Sequence, residues 1–153
     1  MAKSYLGEIP NVHIRDFQRA KVYRAEEQCT FWKDGMQNIL SKGDVLRVVQ
    51  TIAHWANIDC PTIIYPEYND TSYNNTPAFA TADSLVLPFA RANSLPFICH
   101  EMAHVINYNS ENADHHGAYF VTTYLNVVKQ FIGKDASNEL KKSFKSKHVK
   151  YIA

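Results

Sequence analysis

The sequence predicts an α+β domain in which several helices pack on a small, mostly antiparallel sheet. Three segments place apolar residues at helical spacing, and between two of them lie short β-branched or aromatic stretches with turn residues around them. Size supports one such domain: 153 residues, 46% hydrophobic and 12% aromatic, bury one core but do not make two complete ones. The same composition excludes a disordered or fibrous chain.

Residues 12–28 mix charge with Val12, Phe17, Ala20, Val22 and Tyr23 and predict a helix. Residues 29–32 are a short apolar piece that reads equally as a connection or an edge strand. Ser41 can cap a helix, with Asp44 three positions on, and Val45, Val48, Val49, Ile52 and Ala56 then share one face. Pro61 sets the end of that helix near Asn57. The period then changes: residues 62–65, between Pro61 and Pro66, predict a strand, 67–77 an Asn-rich loop, and 79–82 and 84–87 two further strands, the last ended by Pro88. Two helices follow. The first is capped by Asn93 or Ser94, accommodates Pro96 in its opening turn and runs to about Asn107. The second is capped by Asp114 and runs to about Ile132, with Gly133 as its stop.

Residues 134–153 differ in kind from residues 1–133, which form the predicted domain. Lys134, Lys141, Lys142, Lys145, Lys147 and Lys150 face only Asp135 and Glu139, a local excess of four positive charges, so a solvated basic C-terminal tail is expected. Charge over the whole chain is only +1, which argues against a protein built mainly to hold nucleic acid and leaves the Lys-rich tail as the one place DNA could touch. Cys29, Cys60 and Cys99 are widely spaced with no CxxC pair, and read as reduced thiols. Residues 1–10 lack the apolar run of a signal peptide, and no stretch approaches the roughly 20 apolar residues of a membrane span. A cytoplasmic protein with no membrane contact is the expectation.

The chemistry is concentrated in His100-Glu101-Met102-Ala103-His104. Two histidines four apart on a helix stack on one face, so both imidazoles can reach one ion. Glu101 lies about 100° around the helix from His100, where it can take a proton from a zinc-bound water and later hand it to a leaving amine. The competing reading is a core helix whose histidines donate to backbone carbonyls. Against it, Leu95, Phe97, Ile98, Met102, Val105 and Ile106 bury the helix, and two imidazoles and a carboxylate are costly there without a partner. A hydrolytic zinc site needs a third protein ligand and an open fourth position. Glu111, Asp114, His115 and His116 lie downstream; Asn107 and Ser110 exclude the longer metzincin motif, and after Glu111 the only Glu is Glu139, which excludes a ligand Glu well into the next helix and leaves Asp114, His115 and His116. His116 ranks first, because a position in the first turn of the next helix favours the neutral imidazole that binds metal. His115 then points to the cleft rim, where it, Tyr108 and Tyr119 are candidate oxyanion donors. His13, His54 and His148 read as surface residues and Cys99 as core.

His116-Gly117-Ala118-Tyr119-Phe120, a short loop after the HExxH helix, resembles the HGxxF element of SprT-like zinc metallopeptidases, the family that includes the DNA-repair protease Spartan. That resemblance implies His116 as third zinc ligand and a minimal zincin fold, in which helices carry the ligands over the small sheet. The interval from His104 to His116 is shorter than is usual there. A second likeness, spanning about 15–130, is to small bacterial and phage metallohydrolase-like proteins: Arg15-Asp16-Phe17-Gln18-Arg19, Val22-Tyr23-Arg24-Ala25-Glu26 and Val86-Leu87-Pro88 carry it. If the chain is phage-encoded, the cytoplasm in question is the host's. In zincins a strand beside the cleft offers a free edge to an extended peptide; residues 84–87 fit either that role or an ordinary core strand. The reading is a zinc-dependent hydrolase, with a peptide or protein as substrate, His100, His104 and His116 on Zn²⁺, and Glu101 as general base. The alternative is a non-catalytic, zinc-stabilised interaction protein of phage or bacteria, associated with DNA through the tail.

Overall fold

A computed structural model describes residues 16–66, 78–88 and 90–152. Six α-helices and a three-stranded sheet are found among them: α1 (Arg19–Glu27), α2 (Thr30–Gly35), α3 (Lys42–Ala56), β1 (Thr62–Ile64), β2 (Phe79–Ala80), β3 (Ser84–Val86), α4 (Leu95–Tyr108), α5 (Ala118–Phe131) and α6 (Lys134–Ser146). A single 3₁₀ turn, Ala90–Asn93, leads into α4. The α+β class is as expected. The predicted helix start at 12–15, the Asn-rich loop 67–77 and Arg15 lie outside the described residues.

Capping chemistry explains the best-placed element. The Ser41 hydroxyl accepts the Asp44 N–H at 3.1 Å, and Asn57 closes α3 in the left-handed conformation at φ 57°. Val45, Val49, Ile52 and Ala53 form its buried stripe. Residues 29–32, undecided between connection and strand, open the short helix α2. Its first N–H groups are capped from afar: the Glu139 carboxylate accepts from Thr30 N at 2.8 Å and Phe31 N at 3.2 Å.

The sheet order is β1-β3-β2, with β1 parallel and β2 antiparallel to β3. It is therefore mixed, not mostly antiparallel. A tight turn, in which Thr81 N donates to Ser84 O, folds β2 back on β3, whereas β1 joins the opposite side of β3 after a longer connection. The register pairs Ile63 with Leu85 across the parallel ladder and Ala80 with Leu85 across the antiparallel one. β3 is thus central and has no free edge; Leu85 and Leu87 are fully buried, the ordinary core-strand outcome.

The basic stretch 134–153 is not a frayed tail. Lys134–Ser146 is a helix whose Ser137, Leu140 and Phe144 turn inward at i, i+3 and i+7, and Leu140 and Phe144 join the same core as α1 and α5. Lysine-rich composition hides that stripe, because the Lys residues occupy the other faces. Among the described residues no helix is long and apolar enough to cross a membrane.

Candidate metal centre

Helix α4 carries His100, Glu101 and His104, all buried, and packs on α5, α3, α2 and the sheet. Ser94 holds the N-cap position of α4, although its hydroxyl donates to Arg91 O at 2.8 Å instead of capping, and Pro96 follows in the opening turn. The third histidine arrives on the turn before α5. His116 precedes the Gly117 N-cap and so stands just outside the helix, not in its first turn. Asp114 builds that turn: its carboxylate oxygens accept the N–H groups of Tyr119 at 2.9 Å and Phe120 at 3.0 Å. A Cβ on Gly117 would lie 2.5 Å from Asp114 Oδ2, so this close approach requires glycine. Asp114 is accordingly a helix-capping residue.

One ligand atom from each of His100, His104 and His116 falls within 4.8 Å of the other two, and these residues could hold a metal ion. His104 Nε2 and His116 Nε2 face each other at 3.1 Å. Two nitrogens held tetrahedrally at about 2.0–2.1 Å from one ion would be about 3.3 Å apart, so the pair fits a metal of that bond length. The outer nitrogens are occupied. His100 Nδ1 meets Glu26 Oε2, which also accepts the Tyr124 hydroxyl, and His116 Nδ1 meets Asp16 Oδ2 at 2.8 Å. These carboxylates leave the Nε2 atoms of both rings for the centre. His104 is oriented differently: its ring stacks at 4.1 Å on Phe120 and at 5.6 Å on Tyr108, while Nδ1 finds no hydrogen-bond partner among the described residues.

Burial and charge set the protonation states. His104 is driven well below the usual imidazole range by burial and by the neighbouring imidazoles. Burial also lowers His116, against the opposing pull of Asp16. For His100, burial is outweighed by Glu26, which raises it. Glu101 has its carboxyl pushed up to about 7 by burial, with His100 pulling the other way and Glu26 adding to the rise. Its Oε1 stands 3.8 Å from His100 Nε2, and its buried Oε2 has no hydrogen-bond partner among the described residues.

Of the expected rim residues, Tyr108 and His115 pair with each other beside His104, and Tyr119 lies apart. His115 is buried at φ 57°, and its Nδ1 pairs with the Tyr108 hydroxyl at 3.3 Å, because the positive-φ corner turns it inward. Tyr119 is 46% exposed and faces solvent. Two carboxylates that sequence did not single out as site residues, Asp16 and Glu26, do touch the histidines. Both sit in the opening stretch that carries the phage and bacterial likeness, the only signal that could have drawn attention to them. A cavity of about 340 Å³ adjoins the centre on the α1–α2 side, with Tyr23, Trp32, Ala78, Phe97, His100 and Glu101 among its walls. Comparison with family models, with curated proteins and with solved structures finds no match to this chain, so the likeness to SprT-like peptidases rests on its motifs alone.

Proposed function

We propose that the chain is a metal-dependent hydrolase, that its ion is Zn²⁺, and that the bond it cleaves is a peptide bond. One observation carries the reading: a buried glutamate, one of whose carboxylate oxygens has no hydrogen-bond partner among the described residues, stands beside three converging imidazoles. A purely stabilising ion site gains nothing from such a group, and burying it is costly. A donor set of three imidazoles, two of them backed by carboxylates, suits Zn²⁺. Bound there, Zn²⁺ would supply a Lewis acid that polarises a carbonyl and acidifies water.

The chain's own residues supply the rest. Glu101 receives the proton of the attacking water at its carboxylate and returns it to the departing amine. Glu26 and Asp16 keep the rings of His100 and His116 turned to the centre. Phe120, packed against all three imidazoles, keeps water from their inner side. The peptide bond is chosen on the HExxH and HGxxF pairing.

Metal analysis of the purified protein beside His116→Ala and Glu101→Gln tests this. The expected result is a single zinc per chain, reduced by His116→Ala and kept by Glu101→Gln, with peptidase activity lost in both. No zinc after reconstitution would overturn the reading. Zinc that is bound, needed for folding and without effect on any peptide would leave a stabilising site.

A further inference from the structure

We propose that the cavity beside Glu101 is a specificity pocket for a bulky apolar or aromatic side chain of the residue flanking the cleaved bond. The proposal rests on the peptidase reading of the centre. Three rings from three different helices wall the cavity: Tyr23 from α1, Trp32 from α2 and Phe97 from α4. Trp32 lies 6.1 Å from Phe97 and 6.3 Å from the His100 ring, and Tyr23 lies 6.0 Å from that same ring, so the aromatic wall runs straight into the centre. Its volume, about 340 Å³, is at the small end of ligand pockets, room for one large side chain and too little for a folded segment. Glu101 lines it, so an occupant seated among the rings has its backbone within reach of the general base.

Trp32 and Phe97 also line a second, more open pocket, together with Lys33, Met36 and Arg91. A peptide that rests one side chain in the aromatic cavity has this second pocket on the far side of Trp32 and Phe97 for a neighbouring residue. Burying an aromatic side chain among three rings should favour it over alanine by about tenfold or more.

Binding and cleavage are read separately. Trp55→Phe leaves Trp32 as the only tryptophan, and its fluorescence is followed while N-acetyl-phenylalanine amide or N-acetyl-alanine amide is added to the zinc-loaded protein. A saturable response to the phenylalanine amide, at least about tenfold weaker for the alanine amide, is expected. Ala78→Phe, which fills the cavity, should abolish it, and Phe97→Ala, which enlarges it, should shift preference towards the tryptophan amide; circular dichroism confirms that each variant folds. In parallel, cleavage sites in a mixed peptide library are mapped by mass spectrometry, with Glu101→Gln as the control. Saturable, Ala78→Phe-sensitive binding without cleavage upholds the cavity as a seat for an aromatic side chain and sinks the peptidase reading, and with it the cavity's place beside a cleaved bond. Glu101-dependent cleavage that ignores side-chain size, with no Trp32 response, upholds the peptidase reading and overturns the pocket.

Discussion

His100 owes its ring orientation to one carboxylate oxygen, Glu26 Oε2, which also takes the Tyr124 hydroxyl in the core. Glu26→Gln keeps the shape and removes the charge. Metal affinity should then fall about 10–100-fold in competition with a chelating dye; unchanged affinity would mean that His100 is not a ligand. Gly117→Ala is a second residue-scale prediction. Its Cβ would collide with the Asp114 carboxylate that caps α5, so the cap must shift and carry His116 with it. A stability loss of about 1–3 kcal/mol in denaturant unfolding, together with weaker metal binding, is expected. At this scale the sequence announced only what is local. His100 and His104 share one helical face at i and i+4, with Glu101 about 100° around from His100, and that spacing is legible without a structure. His116 stood among three candidates, since a turn decides which of two adjacent histidines meets the helix pair, and here His115 pairs with Tyr108 while His116 meets His104. Asp16 and Glu26 reach their partners across 100 and 74 residues, and no local pattern encodes such a return.

Elements meet here through contacts that composition does not reveal. Helix α2 approaches α4 so closely that a Cβ on Gly35 would fall 2.3 Å from Pro96 Cγ. Gly35→Ala should separate the two helices and cost about 1–3 kcal/mol; because α2 carries Trp32 and α4 carries Phe97, it should also alter the Trp32 emission spectrum. Helix α6 reaches α2 in turn. The Glu139 carboxylate loses some hydration, but its hydrogen bonds to the Thr30 and Phe31 N–H groups outweigh that and hold it below the ordinary value of 4.5. A carboxylate depressed in the folded state stabilises the fold above its unfolded pKa and loses that contribution as pH falls through the folded one. Glu139→Ala should therefore cost about 1 kcal/mol at pH 7 and progressively less as the pH falls below 4.5, as read from unfolding curves at several pH values. Helices α3 and α5 were legible because apolar period and capping side chain agree, and α4 from its apolar period and the Pro96 of its opening turn; α2, six residues long, has neither a cap of its own nor a full apolar stripe.

Across the whole molecule, the last helix decides whether the rest holds. Phe144 and Leu140 are fully buried against α1 and α5, so Phe144→Ala should cost about 3–5 kcal/mol, measured by thermal or denaturant unfolding. Removing residues 134–153 should leave a poorly folded chain and not a trimmed domain; a truncated protein with the parent unfolding midpoint would contradict this. The charge count pointed the other way because six lysines outweigh two buried apolar residues in any compositional average. Gln18 draws the two ends together. Its side-chain amide donates to the carbonyls of His116 and Lys150 and accepts the Lys150 N–H, across as many as 132 residues. During synthesis the histidines on α4 leave the ribosome well before the lysine that completes this clasp. The ion site is therefore among the last features a nascent chain acquires, and a chain stalled before residue 144 would expose its imidazoles while the segment bearing Asp16 and Glu26 still lacked the support of α6.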